Sequence, residues 1–201
     1  KDVYLAKFNA SGIYQWATQA GSNSDDFTSG LGVDSANNVY WAGYIIADFD
    51  GTGTGCTLIG GYDIFLAKYN PAGTMVWARQ AGSNNYDKSD NGLAIGPANT
   101  IYLTGYTKGK MGYQSFGYYN DIFILKYDSA GNKLAVRQIG SNRDFDDIPY
   151  GGIALDTSNP STVIHYVAGM TSGDLTGSMP APSYQHPFLL KGMDASLGDA
   201  D

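Results

Sequence analysis

Short apolar runs recur along the whole chain, each about 4–8 residues long and many of them closed by a cluster of Gly, Asn, Ser or Pro. Runs of this length, rich in Val, Ile, Tyr, Phe and Trp, predict strands. Asp2-Val3-Tyr4-Leu5-Ala6-Lys7-Phe8-Asn9 returns as Asp63-Ile64-Phe65-Leu66-Ala67-Lys68-Tyr69-Asn70 and as Asp121-Ile122-Phe123-Ile124-Leu125-Lys126-Tyr127-Asp128. A worn copy follows at His186-Pro187-Phe188-Leu189-Leu190-Lys191-Gly192-Met193. These runs are apolar on both faces, which suits a strand covered on two sides.

Other segments keep step at a period of about 60 residues. Trp16-Ala17-Thr18-Gln19-Ala20-Gly21 matches Trp77-Ala78-Arg79-Gln80-Ala81-Gly82 and Ala135-Val136-Arg137-Gln138-Ile139-Gly140. Leu31-Gly32-Val33-Asp34 matches Leu93-Ala94-Ile95-Gly96 and Ile153-Ala154-Leu155-Asp156. Val39-Tyr40-Trp41-Ala42-Gly43 matches Ile101-Tyr102-Leu103-Thr104-Gly105 and His165-Tyr166-Val167-Ala168-Gly169. Turns such as Asn9-Ala10-Ser11-Gly12, Asn70-Pro71-Ala72-Gly73 and Ser129-Ala130-Gly131-Asn132 supply the backbone freedom that hairpins need. Four short strands per unit predict an all-β chain of four-stranded antiparallel blades, a β-propeller with about three repeats and an incomplete ring. The units are 2–62, 63–120 and 121–185, with the start of a fourth at 186–201. One variable loop per unit, at 45–62, 107–120 and 170–185, accounts for the long period.

Composition sharpens this reading. The chain has 201 residues, 12 Lys+Arg and 19 Asp+Glu, for a net charge of −7. Every acid is Asp, a turn residue, and Glu, a good helix former, is absent. An all-α or doubly wound fold is therefore nearly excluded. The acidic balance and the lack of a basic run argue against a nucleic-acid partner, and no apolar run approaches the ~18 residues of a membrane span.

The pattern Asp-Ile-Phe-Leu-Ala-Lys-Tyr-Asn-x-Ala-Gly, Trp-Ala-Arg-Gln-x-Gly, Gly-Leu-Ala-Ile and Ile-Tyr-Leu-Thr-Gly-Tyr closely resembles the SBBP family of β-propeller repeats, a bacterial seven-bladed type. The resemblance covers nearly all of the chain outside the variable loops. It implies a secreted or surface-exposed protein, with extracellular or cell-surface localisation, and little about activity. By analogy with related propellers, the Gly-Leu-Ala-Ile and Ile-Tyr-Leu-Thr-Gly strands form the inner pair of each blade. The chain then opens with half a blade, continues with two full blades and ends in a third without its outermost strand. Three blades cannot close a ring. The expected partners are therefore other protein chains or the rest of the same polypeptide, with glycans as a further candidate.

The candidate chemistry is thin. Lys7, Lys68, Lys126 and Lys191 recur once per unit, as architecture requires, and are read as pairing with a loop Asp. The loops Gly21–Asp26, Gly82–Asp87 and Gly140–Asp147 recur in the same way and are read as closing their own turns. Trp16 and Trp77 stand at equivalent positions and read as interblade core, while Trp16, Trp41 and Trp77 are also candidates for sugar stacking. Asp48 and Asp50 form a weak calcium candidate that lacks the later acids of a proper loop; no other cofactor is expected. Asn9, in Asn9-Ala10-Ser11, is a glycosylation sequon. The Gly/Thr-rich surroundings of Cys56 suggest exposure. His165 and His186 lack metal-ligand spacing, and no catalytic residues are assigned.

The variable loops are rich in tyrosine (Tyr62, Tyr113, Tyr118, Tyr119 and Tyr184), which suits contacts with proteins or glycans. The leading functional expectation is a non-enzymatic extracellular scaffold built of propeller repeats. An adhesin or binding module that uses the variable loops comes second. A propeller hydrolase or lactonase comes last, with mainly Asp34 and Asp156 to offer near the axis.

Overall fold

The computed structural model describes residues 2–49, 56–111, 119–141, 145–159, 161–175, 184–194 and 197–199. The chain opens with a hairpin, β1 (Val3–Phe8) and β2 (Tyr14–Ala20). A four-stranded sheet follows: β3 (Asp26–Val33), β4 (Val39–Ile45), β5 (Asp63–Tyr69) and β6 (Met75–Ala81), paired in that order. The next sheet repeats it with β7 (Asp87–Ile95), β8 (Ile101–Thr107), β9 (Asp121–Tyr127) and β10 (Lys133–Ile139). The third holds β11 (Asp147–Ile148), β12 (Ile153–Asp156), β13 (Ile164–Thr171) and β14 (His186–Met193). All the strand pairs within these sheets are antiparallel. The fold is all-β, with blades in series and no closed ring.

The blades pack face against face, and each seam has its own core. Val3 and Leu5 meet Trp41, Phe65 and Tyr69 at the first seam. Tyr40, Ile64, Leu66 and Trp77 meet Ile101, Leu103, Phe123 and Tyr127 at the second. Tyr102, Ile122 and Ile124 meet Val163 and Val167 at the third. Strands β5 and β9 serve two seams at once, so both their faces are buried. Their unbroken apolar runs follow from that placement, because alternate side chains point to opposite neighbours.

The inner strands crowd together. A Cβ at Gly30 would sit 3.0 Å from that of Leu93, and one at Gly32 would sit 2.8 Å from Ile95. Glycine lets β7 lie directly against β3. Ser89 Oγ joins the two strands, lying 2.6 Å from Ser29 Oγ and donating to Gly43 O at 3.0 Å.

Two features depart from the simple repeat. The inner strand of the third blade is broken between β11 and β12, around Pro149 and Gly152 (φ +73°). Proline lacks a donor for the ladder there. In addition, β15 (Gly198–Asp199) returns to the second blade and pairs with β10, making a five-stranded sheet. The outer edge of β10 offers the unpaired backbone groups that such a strand needs. Leu197 is buried in the cluster that contains Ala135, the residue standing where Trp16 and Trp77 stand in the earlier units.

Candidate functional site

The blade-to-blade contacts define what is architectural. Lys68 on β5 lies between Tyr40 on β4 and Trp77 on β6 in cross-strand register. Its Nζ sits 5.1 Å from the Tyr40 ring centre and donates to Ser129 O at 3.0 Å. Trp77 Nε1 donates to the same carbonyl at 3.3 Å. At the preceding seam, Lys7 and Trp16 share Pro71 O at 3.1 and 3.0 Å. At the following seam, Lys126 Nζ reaches Asp194 Oδ2 at 2.7 Å, while Tyr102 donates to both carboxylate oxygens. Of Lys7, Lys68 and Lys126, Lys126 makes the expected lysine–aspartate pair among the described residues. In the other two copies Asn70 and Asp128 spend their side-chain oxygens closing their own turns, and the next carbonyl takes the lysine.

The serine–aspartate loops also close themselves. Ser22, Ser83 and Ser141 donate their backbone N–H to Asp26, Asp87 and Asp147 at 2.9, 2.6 and 2.6 Å. These aspartates are buried. Burial pushes Asp87 up to about 6, against the hydrogen bonds from Thr107 and Ser83, and the nearby Asp63 adds to the rise.

What does not repeat lies at the loop end of the second seam. Phe27 on β3 and Tyr44 on β4 are cross-strand partners, stacked with ring centres 4.7 Å apart. Tyr62 meets Tyr44 edge to face at 5.7 Å, and Tyr86 of the next blade meets Tyr62 at 5.3 Å. Backbone contacts hold this row together. Gly61 N donates to Asn85 O, and Asp87 N donates to Tyr62 O, both at 2.9 Å. Gly61 is required there, because a Cβ would meet the Tyr86 ring at 2.7 Å.

Lys88 of the second blade inserts into the row. Its Nζ lies 4.5 Å from the Tyr62 ring centre and 5.0 Å from that of Tyr44, an arrangement that favours a cation over each ring. Burial raises the Asp90 carboxyl, and Lys88 opposes that rise. Burial also raises the Tyr44 phenol, followed by the charge of Asp90. Burial raises the Tyr106 phenol, followed by the charges of Asp90 and the nearby ionisable groups. Phe27, Tyr4, Tyr44 and Asp90 also line an open cavity of about 520 Å³ beside β1 and β3. The arrangement offers ring faces, phenol hydroxyls, one ammonium and one carboxylate on a strand-built platform.

Of the tyrosines expected on the binding face, Tyr62 is in this row. Tyr119 and Tyr184 are exposed elsewhere, the latter at 78%. Tyr113 and Tyr118 lie outside the described residues. Sequence reading missed Phe27, Tyr44, Tyr86, Lys88, Asp90 and Tyr106. The available signal was the residue after each repeated Asp (Phe27, Lys88, Ile148) and after each repeated Gly (Tyr44, Tyr106, Met170), where the units diverge.

The remaining candidates have local roles. Asp48 Oδ1 accepts from Leu58 N at 2.7 Å, closing its loop; Asp50 lies outside the described residues. Asn9 Oδ1 accepts from Ser11 N and Ile13 N at 3.0 and 2.9 Å, the turn-closing bonds that Asn70 and Asp128 also make. Cys56 is half-buried against the first seam's core rather than exposed. Trp41 is buried, with its indole N–H on Thr28 Oγ1 at 2.8 Å. His165 is buried and His186 exposed.

Comparisons with known proteins agree with this architecture. Residues 15–50, from β2 through β4, match the SBBP model, described as a beta-propeller repeat. Over 122 residues, 51% of the chain, it is 29% identical to an uncharacterized WD repeat-containing protein of Acanthamoeba polyphaga mimivirus. The chain spans 8% of that protein's length. WD repeats also build four-stranded propeller blades. The chain is thus an all-β repeat protein of four-stranded antiparallel sheets in series, similar over residues 15–50 to the SBBP beta-propeller repeat.

Proposed function

We propose that this chain is a non-catalytic, extracellular β-propeller module that binds glycans at the loop end of its second seam. The row Phe27–Tyr44–Tyr62–Tyr86, interleaved with Lys88 and Asp90, carries this reading. Ring faces stack on the apolar faces of sugars, and neighbouring phenols and charges satisfy the hydroxyls. The non-catalytic part rests on the polar constellations that recur from blade to blade and that turn closure explains. Placement outside the cell rests on the family resemblance.

The test is calorimetric titration with a panel of neutral and acidic hexasaccharides, using the wild type, Tyr86→Ala and Tyr62→Ala. Binding by at least one glycan, weakened about tenfold by Tyr86→Ala, is expected, from roughly 1.4 kcal/mol of lost stacking. Binding that neither variant alters, or no binding across the panel, sinks the reading.

A second reading, the structural or assembly scaffold, is favoured by the two end faces. Leu189 is 69% exposed, whereas its equivalents Leu66 and Ile124 are each 1% exposed inside seams. Tyr4 is 65% exposed, whereas Phe65 and Phe123 are fully buried. The partners proposed for these faces are further blades, from other chains or from the same polypeptide. Sedimentation of Leu189→Asp against wild type tests it. A change of association state without loss of fold supports the scaffold, and identical sedimentation counts against it.

A further inference from the structure

The second seam holds another cleft, on its outer strands, of about 420 Å³. Its apolar lining is Ile59, Ala81, Met111, Leu125 and Tyr127. Among the described residues, Arg79 and Lys133 are its charged lining residues and no carboxylate lines it. On a chain of net charge −7 this is a local reversal of sign.

The arginine is held in place. Its Nε donates to Gly131 O at 2.8 Å, Nη1 to Ala78 O at 2.7 Å and Nη2 to Ala130 O at 3.2 Å. The guanidinium also lies over the Trp77 ring, 5.3 Å from its centre. Among the described residues three of its five donors are used, leaving one on Nη1 and one on Nη2 of a fixed planar group, a donor set that can take a carboxylate. Asp63 and Asp87 lie behind Gly82 but are buried and committed. Asp63 accepts from Ile59 N, Gly60 N and Gln80 Nε2, and Asp87 accepts from Ser83.

The cation pair does not repeat. At the preceding seam Thr18 and Met75 stand where Arg79 and Lys133 stand, and the arginine alone recurs, as Arg137 in the third unit. Architecture needs one copy per seam, and this seam differs.

We propose that this cleft binds a small amphiphilic carboxylate, with its head on Arg79 and Lys133 and its apolar body against Ile59, Met111 and Leu125. The volume falls within the range of small-ligand sites. The site is separate from the aromatic row and does not depend on glycan binding.

The test titrates the whole chain with octanoate, 1-octanol and acetate, read by calorimetry and by Trp fluorescence, since Trp77 lies beneath Arg79. Two variants at solvent-accessible cleft positions, Lys133→Glu and Ile59→Asp, accompany the wild type, and thermal unfolding checks their folds. Octanoate is expected to bind and acetate to bind at least tenfold more weakly. Each variant is expected to lower the octanoate affinity by about tenfold, as for the loss of one charged hydrogen bond or of a buried hydrocarbon contact. Equal binding of octanoate and octanol, affinities unchanged in both folded variants, or no octanoate binding at about 1 mM would each overturn it.

Discussion

Trp16 donates its indole N–H to the carbonyl of Pro71, 55 residues away in the next blade, at 3.0 Å. The same hairpin presents Gly73, with φ +84°, beneath the Trp16 ring. The outer hairpin of one blade thus clasps the outer strand of its neighbour, and Trp77 repeats the arrangement over Gly131.

Gly73→Ala should therefore destabilise more than Gly12→Ala. Both positions have positive φ, so both carry a conformational cost of about 1 kcal/mol. At Gly73 the new Cβ also meets the Trp16 ring at 2.6 Å, whereas at Gly12 it meets nothing within 4 Å. Urea unfolding should show an additional loss of about 1–2 kcal/mol for Gly73→Ala, the cost of overpacking. Equal losses for the two variants would mean that the ring does not press on the turn.

Asp87 should make acid partly stabilising. Its folded pKa of about 6 lies above the ordinary aspartate value of 3.8. Between those values the folded state binds more protons than the unfolded state, so stability falls as pH rises from about 4 to about 6 and then levels. The difference in unfolding free energy between wild type and Asp87→Asn should change by roughly 2–3 kcal/mol across that window, from the shift of about two units. A difference that stays flat from pH 4 to 6.5 would refute the raised pKa.

His165 should act with the opposite sign. It occupies the position held by Val39 and Ile101 in the other units, and its Nδ1 has no hydrogen-bond partner among the described residues. Burial lowers its pKa, while Asp194 works against that shift and Arg137 and Lys126 add to it. The folded state resists protonation, so stability is lost as pH falls below about 6.5. His165→Ile should raise stability by about 1 kcal/mol at pH 8, because an unsatisfied buried polar group is removed. The gain should be larger at pH 5. A loss of stability at both values would show that the ring makes a needed polar contact.

Much of the fold was legible in the chain. The repeat placed β1, β5, β9 and β14 at equivalent positions; their two-sided apolar runs implied burial on both faces, which holds for β5 and β9 but not for β1 and β14, where one face is exposed. The serine–aspartate loops were read as closing on themselves, and in each a Ser N–H reaches the Asp that ends the loop, because short-range hydrogen bonds need only neighbours in sequence. The return of β15 to β10 was not legible, since a two-residue strand carries no periodicity. The exposure expected for Cys56 failed because its covering residues belong to other strands.

The sequence by itself determined the repeated strands, their order within each blade and the placing of Trp16 and Trp77 between blades. These follow from local propensity and from a pattern that repeats with the chain. Only the tertiary structure decided that Phe27, Tyr44, Tyr62, Tyr86, Lys88 and Asp90 meet in one row, and that Arg79 and Lys133 share a cleft. Such groups lie on two blades separated in sequence, and their proximity depends on how two sheets pack face to face, a relation that strand periodicity does not encode.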